Sequence, residues 1–240
     1  NGYYYLNLST GKMTVGWEKI NNKWYYFQGN GVMATGWVKD NSKYYYMLTD
    51  GTMHTGWVSI DGVYYYLGDS GAMATGWVNM DNGWYYFDPN DGKCTVNSAR
   101  EIKDSWYMFG SDGKMVTGWQ QVDGGYYYFH TDGKMLTGWL SDGTNSYYMD
   151  PANGRMSTGW KQIENSYYYF NNSGHKLTGW IQIDGTYYYL NPSDKGRMAA
   201  NTTLKIDGVS YTFAANGACS TSNGNALNVS NNNNTNSSTV

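Results

Sequence analysis

The chain has 240 residues, a net charge of −3, 15% charged residues and 18% aromatic residues. Lys and Arg are not clustered, which argues against capture of nucleic acid or of an anionic membrane surface. No apolar run reaches the roughly 18 residues that would span a bilayer, so membrane insertion is not expected. The sequence starts within a repeat at Asn1 and shows no signal peptide, which predicts a mature chain or a fragment.

A short aromatic run recurs at nearly constant spacing along the chain, and all 26 tyrosines fall in it. The runs lie at residues 3–5, 24–26, 44–46, 64–66, 84–86, 106–107, 126–128, 147–148, 167–169, 187–189 and 211. A Gly-Trp dipeptide is a second recurring motif, and it contains Trp17, Trp37, Trp57, Trp77, Trp119, Trp139, Trp160 and Trp180. Such fixed-period similarity indicates supersecondary units that bury their apolar faces only against their neighbours.

The repeat at residues 55–75 reads as strand, turn, strand, turn. Residues 57–60 form the first predicted strand, Asp61-Gly62 is a strong two-residue turn signal, and residues 64–67 form the aromatic partner strand. Frequent glycine and the lack of a 3.6-residue apolar period exclude helices of more than a turn. Because an isolated hairpin is marginal in water, the sequence predicts an all-β fold. We expect a β-solenoid of stacked two-stranded hairpins, with about ten repeats of roughly 20 residues.

Two repeats lack the Gly-Trp dipeptide, at Asn97 and Asn201. The second departure ends the array and is typical of a cap. The first predicts a bend near residues 94–109, between sub-arrays 1–96 and 110–200. We therefore expect a repeat array over residues 1–219. Residues 220–240 are rich in Asn, Ser and Thr and have no aromatic side chain, which predicts a flexible tail or linker.

Signatures of catalysis are missing from the sequence. The three histidines lie at non-equivalent points of different repeats, without a second metal ligand at a suitable spacing. The repeat pattern does not pair the few glutamates with another carboxylate, whereas a glycosidase needs two carboxyl groups at a defined separation. We therefore expect a binding module rather than an enzyme, with no catalytic residue, metal or cofactor.

The aromatic side chains are the candidate binding residues. Successive side chains of a strand point to opposite faces, so the first and third rings of a triplet share a face and the middle ring does not. We expect the first rings and the Gly-Trp tryptophans to bind, and middle tyrosines such as Tyr45 and Tyr65 to pack. Flat, electron-rich rings suit either a sugar ring or a quaternary ammonium group.

The pattern of Gly-Trp, a short spacer, a turn, an aromatic triplet and Gly-x-Met-x-Thr-Gly-Trp resembles the choline-binding, or cell-wall-binding, repeat of Gram-positive surface proteins and phage lysins. The resemblance covers about residues 2–219, and residues 198–218 are similar to that family's terminal unit. It implies an extracellular, cell-wall-associated module that attaches a secreted protein to choline-bearing teichoic acid or polysaccharide. Related repeats bind α-glucan or other carbohydrates, which is one alternative, and a structural spacer on the cell surface is another.

In choline-binding members, the resemblance implies a cage between consecutive hairpins. The Gly-Trp tryptophan and the first triplet ring of one repeat are joined by a ring from the triplet of the next repeat, with a methionine nearby. Strand alternation favours the third triplet position for that last ring. The complete cages implied in this way are Trp17, Trp24 and Tyr46; Trp37, Tyr44 and Tyr66; Trp57, Tyr64 and Tyr86; Trp119, Tyr126 and Tyr148; and Trp160, Tyr167 and Tyr189.

The sequence departs from the family pattern in two ways. Most first triplet positions hold Tyr, a weaker cation–π partner than the Trp that is usual in choline binders. Three sites are also expected to be weak or dead, because a ring is missing from each: Trp139 is followed by Ser146, Trp77 would meet Met108, and Trp180 would meet Thr212.

Overall fold

A computed structural model describes residues 2–7, 9–81 and 83–221. The chain is all-β, as predicted, and consists of ten antiparallel hairpins that stack on their neighbours within two compact units, Asn1–Val116 and Thr117–Val240. In the described residues the one helical element is a single 3₁₀ turn, Pro192–Asp194. None of the helical segments in this part of the chain has the length and apolar character needed to cross a membrane.

The first unit contains five hairpins, numbered in chain order. They are hairpin 1, β1 (Gly16–Ile20) and β2 (Lys23–Phe27); hairpin 2, β3 (Gly36–Asp40) and β4 (Lys43–Met47); hairpin 3, β5 (Gly56–Ile60) and β6 (Val63–Leu67); hairpin 4, β7 (Gly76–Met80) and β8 (Gly83–Phe87); and hairpin 5, β9 (Ser98–Ile102) and β10 (Ser105–Phe109).

The second unit contains five more hairpins, of which the last two gain a third strand. They are hairpin 6, β11 (Gly118–Val122) and β12 (Gly125–Phe129); hairpin 7, β13 (Gly138–Ser141) and β14 (Ser146–Met149); hairpin 8, β15 (Gly159–Ile163) and β16 (Ser166–Phe170); hairpin 9, β17 (Gly179–Ile183), β18 (Thr186–Asn191) and β19 (Arg197–Met198); and hairpin 10, β20 (Thr202–Ile206), β21 (Val209–Phe213) and β22 (Cys219–Thr221).

Nine of the ten hairpin turns have the predicted two-residue form, whereas hairpin 7 has a four-residue turn between Ser141 and Ser146. Ile60 pairs with Val63, which leaves Asp61 and Gly62 as the turn, with φ of 52° and 79°. Positive φ at both central residues defines the type I′ turn, whose twist matches that of the flanking strands. The turn chemistry therefore sets the register of the hairpin, and this register decides which rings share a face.

The core of each hairpin is the residue that follows the aromatic run. These ten side chains are 0–3% exposed: Phe27, Met47, Leu67, Phe87, Phe109, Phe129, Met149, Phe170, Leu190 and Phe213. Burial of such a side chain contributes roughly 1.5–3 kcal/mol. The array is thus stabilised by a thin core repeated in every hairpin.

A loop methionine joins most repeats to the next. Met33 bridges to Phe27 at the end of its own hairpin, and its N–H donates to the carbonyl of Tyr3 in the preceding repeat. Its side chain lies against Gly51 of the following loop, where a Cβ atom would come within 2.2 Å of Met33 Sδ. Gly51 also has a φ of +81°, so this position requires glycine for two reasons. The glycine and methionine of the repeat motif therefore form one contact between consecutive loops.

The boundary between the two units follows hairpin 5, the first hairpin that lacks a Gly-Trp tryptophan. The bend expected near residues 94–109 stays a prediction. Strand β22 includes Ser220 and Thr221, the first two residues of the predicted tail, and pairs with β21. The rest of the predicted tail, residues 222–240, lies outside the described residues.

Candidate functional site

Each Gly-Trp tryptophan except Trp139 shares a hairpin face with two rings of its own triplet. In hairpin 1, Trp17 pairs across the strands with Tyr26, and Lys19 pairs with Trp24. Side chains two residues apart or directly opposite lie on one face. The Trp17 ring accordingly lies 5.1 Å from the Tyr26 ring and 6.4 Å from Trp24, which it meets nearly edge-on at 88°. The middle ring, Tyr25, belongs to the other face.

The middle tyrosine of the next hairpin completes the arrangement. Tyr45 of hairpin 2 lies 4.7 Å from Trp17, with the two ring planes at 68°. The same contact recurs at 4.7–5.2 Å for all eight Gly-Trp tryptophans. The pairs are Trp17 and Tyr45, Trp37 and Tyr65, Trp57 and Tyr85, Trp77 and Tyr107, Trp119 and Tyr147, Trp139 and Tyr168, Trp160 and Tyr188, and Trp180 and Tyr211. We call the tryptophan and first ring of one hairpin, with the middle tyrosine of the next, a cage.

The predicted placement of the third ring in the cage is wrong. Tyr46 does not complete the Trp17 cage but lies 5.2 Å from Trp37, its cross-strand partner. The face of hairpin 2 that carries Trp37 and Tyr46 points toward hairpin 3, so Tyr46 cannot also point back to Trp17. Strand alternation does separate the two sets of rings, and it is the middle ring of the triplet that faces the preceding hairpin. The corrected set replaces Tyr46, Tyr66, Tyr86, Tyr148 and Tyr189 with Tyr45, Tyr65, Tyr85, Tyr147 and Tyr188.

Two sites that the sequence predicts to lack a ring are complete, because a middle tyrosine fills each of them. Trp77 meets Tyr107 at 4.8 Å, not Met108, and it lies 6.3 Å from Trp84. Trp180 likewise meets Tyr211 at 4.8 Å and not Thr212. The site at Trp139 does lack a ring, because Ser146 occupies the first triplet position beside it. That this site binds weakly or not at all stays a prediction.

The three rings of a cage differ in exposure. In the cage formed by Trp57, Tyr64 and Tyr85, which we call the Trp57 cage, Tyr64 is 47% exposed whereas Tyr85 is 4% exposed. In the Trp57 cage the middle tyrosine therefore forms a buried floor and the first ring forms a solvent-facing wall. The expectation that middle tyrosines pack is correct, and packing places them in the cage as well.

A cavity of 280 Å³ lies at the Trp57 cage. Besides the three rings it is lined by Cys94, Val96, Ser111 and Asp112. Cys94 takes the place of the loop methionine, and Ser111 and Asp112 belong to the loop after hairpin 5, two repeats beyond Trp57. The sequence offers no direct signal for this loop, because its approach depends on how successive repeats stack.

The lining of the Trp57 cage holds one carboxylate and one neutral thiol. Burial raises the pKa of the Cys94 thiol to about 11, so the thiol is protonated at neutral pH. Burial raises the pKa of Tyr85, and the nearby Asp112 and Asp81 carboxylates raise it further. The Asp112 carboxylate and the faces of three electron-rich rings both favour a cation over an anion in this cavity.

Two lysines already lie over first-position rings. Lys19 Nζ lies 5.9 Å from the centroid of Trp24, and Lys39 Nζ lies 5.2 Å from that of Tyr44. Each lysine is exposed and is the cross-strand partner of the ring that it covers. Both contacts have the geometry of a cation–π interaction.

Hydrogen bonds orient individual rings in two cages. The Trp17 indole N–H donates to Asp40 of hairpin 2 at 3.2 Å. The Tyr147 hydroxyl, in the cage of Trp119, donates to Asp142 at 2.9 Å. Backbone N–H groups of Asn145 and residue 144, together with that hydroxyl, hold the pKa of Asp142 well below its usual range. Asp142 therefore stays ionised and fixes the floor of this cage.

Within the part of the chain that the structure describes, no three His, Cys, Asp or Glu side chains converge on a point that could hold a metal ion. The recurrent chemistry of the described residues is instead aromatic, with a ring cluster between neighbouring hairpins of each unit.

Comparison with known proteins places this geometry in context. The choline-binding repeat family matches residues 14–55, 54–98, 116–158 and 157–203. CbpJ from Streptococcus pneumoniae is 32% identical over 90% of this chain and 90% of CbpJ, with a TM-score of 0.68. Choline binding protein F from the same organism is 28% identical over 91% of this chain and 98% of its own, with a TM-score of 0.59. No curated protein sequence matches the chain significantly.

Proposed function

Because this chain belongs to the choline-binding repeat family, we propose that it is a non-catalytic module that attaches a secreted protein to choline-bearing teichoic acid at the cell wall. The quaternary ammonium of choline enters a cage between consecutive hairpins and contacts the faces of its rings. The carboxylates near some cages, such as Asp112 and Asp40, add electrostatic attraction.

The observation that carries this proposal is the steep angle between neighbouring rings. The tryptophan and the middle tyrosine meet at 63–76° in all eight contacts. Trp17 and Trp24, as well as Trp77 and Trp84, meet at 88° and 86°. Rings at such angles surround a compact, rounded cation on several sides, whereas a sugar ring stacks on a flat platform. The geometry therefore favours choline over α-glucan.

Seven complete cages supply the affinity, four in the first unit and three in the second. In the first unit they use Trp17, Trp37, Trp57 and Trp77, and in the second they use Trp119, Trp160 and Trp180. A cation–π contact contributes about 0.5–2 kcal/mol, so each cage binds weakly. Several cages on one polymer raise the effective concentration of the next site, and avidity retains the protein.

The test is elution from a diethylaminoethyl matrix, whose tertiary amine mimics choline. The chain carries a net charge of −3, so the column is run in about 1 M salt, where charges are screened beyond roughly 3 Å. We expect retention under these conditions, elution by free choline and no elution by soluble dextran. Elution by dextran would indicate the α-glucan alternative, and the absence of retention would argue against recognition of choline.

A further inference from the structure

The site at Trp139 differs from the complete cages at two positions. Trp139 retains its middle tyrosine, Tyr168, at 5.2 Å, but Ser146 stands where the first aromatic ring belongs. The slot that holds a loop methionine in most repeats holds Lys176, which bridges to Phe170 as the methionines bridge to their own core residues. We call Trp139, Ser146 and Tyr168 the Trp139 site.

The backbone of Lys176 makes the same hydrogen bond as that of the slot methionines, and its side-chain stem lies near the next loop glycine. Its N–H donates to the carbonyl of Ser146 at 2.8 Å, as the N–H of Met156 donates to Tyr126 in the preceding repeat. A Cβ atom on Gly196 in the next loop would lie 3.4 Å from Lys176 Cε. The same Cβ atom would lie 3.2 Å from Thr178 Cγ2 and 3.3 Å from the carbonyl oxygen of Leu177, so the aliphatic part of Lys176 borders the loop glycine less closely than a methionine does.

The ammonium group of Lys176 extends beyond this contact and onto the tryptophan. Its Nζ lies 5.3 Å from the centroid of the Trp139 ring and donates to the carbonyl oxygen of Lys195 at 2.8 Å. Among the described residues, no carboxylate forms an ion pair with it. Desolvation lowers the pKa of Lys176, as expected for a half-buried ammonium without a counter-charge.

The position of this ammonium corresponds to the interior of the Trp57 cage. Lys195 immediately precedes the loop glycine Gly196, and Asp112, which lines the Trp57 cavity, immediately precedes the equivalent Gly113. The Lys176 ammonium therefore lies between the tryptophan and the loop segment before the glycine. In the Trp57 cage, the equivalent tryptophan and loop segment border the cavity. Lys19 and Lys39 differ from it, because they are exposed and cover a first ring from the neighbouring strand.

We propose that Lys176 is the permanent cationic occupant of the Trp139 site, an intrachain ammonium that stands in for the ligand and excludes it. The claim rests on the proposed function only in so far as the excluded ligand is a free quaternary ammonium such as choline. It assigns to Lys176 the role of setting how many ligands the second unit binds.

The first test counts choline equivalents by equilibrium dialysis in matched variants. The double variant Lys176→Met/Ser146→Tyr restores the slot methionine and the missing ring, and we expect it to bind one more equivalent than the wild type. Ser146→Tyr alone should gain none, because Lys176 still fills the site. Adding Trp139→Ala to the double variant should remove the gained equivalent.

The reciprocal variant is Met156→Lys, which places an ammonium at the same slot in the cage of Trp119. We expect this variant to bind one equivalent fewer than the wild type. Near-ultraviolet dichroism of each variant checks that the aromatic packing is retained. A gain in Ser146→Tyr alone, or no gain in the folded double variant, would overturn the proposal.

A second test needs no ligand and so separates this proposal from the proposed function. Protons on Lys176 Cε should show an upfield ring-current shift in the NMR spectrum of a lysine-labelled sample, and Trp139→Phe should reduce the shift. The Cε protons of Lys205, which is exposed in hairpin 10, serve as the control. An unshifted Lys176 would contradict the occupancy even in a chain that binds choline, whereas a shifted Lys176 in a chain that binds none would refute only the proposed function.

Discussion

The Trp57 cage and the Trp139 site are built on the same scaffold. Trp57 lies 5.1 Å from the middle tyrosine of the next hairpin and 5.6 Å from the core residue Phe87. Trp139 lies 5.2 Å from its middle tyrosine and 5.9 Å from the core residue Phe170. The hairpin pairing and the tilt of the tryptophan are therefore maintained in both regions.

The two regions differ in the side chains that close the space between these rings. Tyr64 provides an exposed wall in the first region, where Ser146 leaves a gap in the second. Cys94 is shorter than the usual methionine and borders a cavity, while Lys176 is longer and carries its ammonium onto the tryptophan. A stacked repeat can therefore keep its fold while two positions change the side chains that close the cage.

Removal of the shared core ring should produce the largest effect, and an equal one in both regions. Phe87→Ala and Phe170→Ala each delete a side chain with 0% exposure. Each should destabilise its unit by about 3–5 kcal/mol through lost burial and a residual cavity. Urea denaturation followed by tryptophan fluorescence measures this cost. A large cost in one region alone would show that the scaffolds are not equivalent.

Removal of the tryptophan should change choline binding in one region and not in the other. Trp57→Ala should lose one choline equivalent, because the tryptophan is a wall of a complete cage, whereas Trp139→Ala should lose none. Both variants should be destabilised, but by less than the core variants, since neither tryptophan is fully buried. Equilibrium dialysis and thermal melting provide the two readouts. Equal ligand loss in both variants would contradict the comparison.

The reactivity of Cys94 should report on the Trp57 cage. Because burial raises its pKa to about 11, little thiolate is present at pH 8. Alkylation by iodoacetamide should therefore be at least about 100-fold slower than for a free thiol with a pKa of about 8.5. Choline should slow it further by filling the same cavity. The measurement uses a Cys219→Ser background, and a reaction at the ordinary rate would contradict the buried placement.

The smallest expected effect concerns two similar ion pairs, one in each unit. Asp150 pairs with Lys161 as Asp88 pairs with Arg100, and each hydrogen bond lowers the pKa of its carboxyl group. A lowered folded-state pKa stabilises the protein above the unfolded pKa of about 3.9, and this contribution disappears as the pH falls through the folded value. Asp150→Asn should therefore cost under about 1 kcal/mol at pH 7.

Melting curves at neutral and strongly acidic pH check this ion-pair prediction. The difference between the wild type and Asp150→Asn should vanish under acidic conditions, where both side chains at this position are uncharged. Asp88→Asn is the matched variant in the first unit. A gap that persists at low pH would mean that the charge of Asp150 is not its cause.

The sequence allowed the fold to be predicted because its signals are local. Turn dipeptides such as Asp61-Gly62 and the recurrent aromatic run determine hairpins without knowledge of tertiary contacts. The third cage ring was mispredicted, since choosing between Tyr45 and Tyr46 requires knowing which face of one hairpin meets the next. Asp112 and Lys176 were missed for a related reason. Both reach a cage from a loop in a later repeat, and the repeat period does not reveal that distance in space.

A crystal structure determined in saturating choline decides whether complete cages bind the cation while Lys176 fills the Trp139 site. We expect choline between Trp57, Tyr64 and Tyr85, and none at Trp139, with Lys176 Nζ still over the indole. Choline bound against Trp139 with Lys176 displaced, or a Trp57 cage without choline, would refute this expectation.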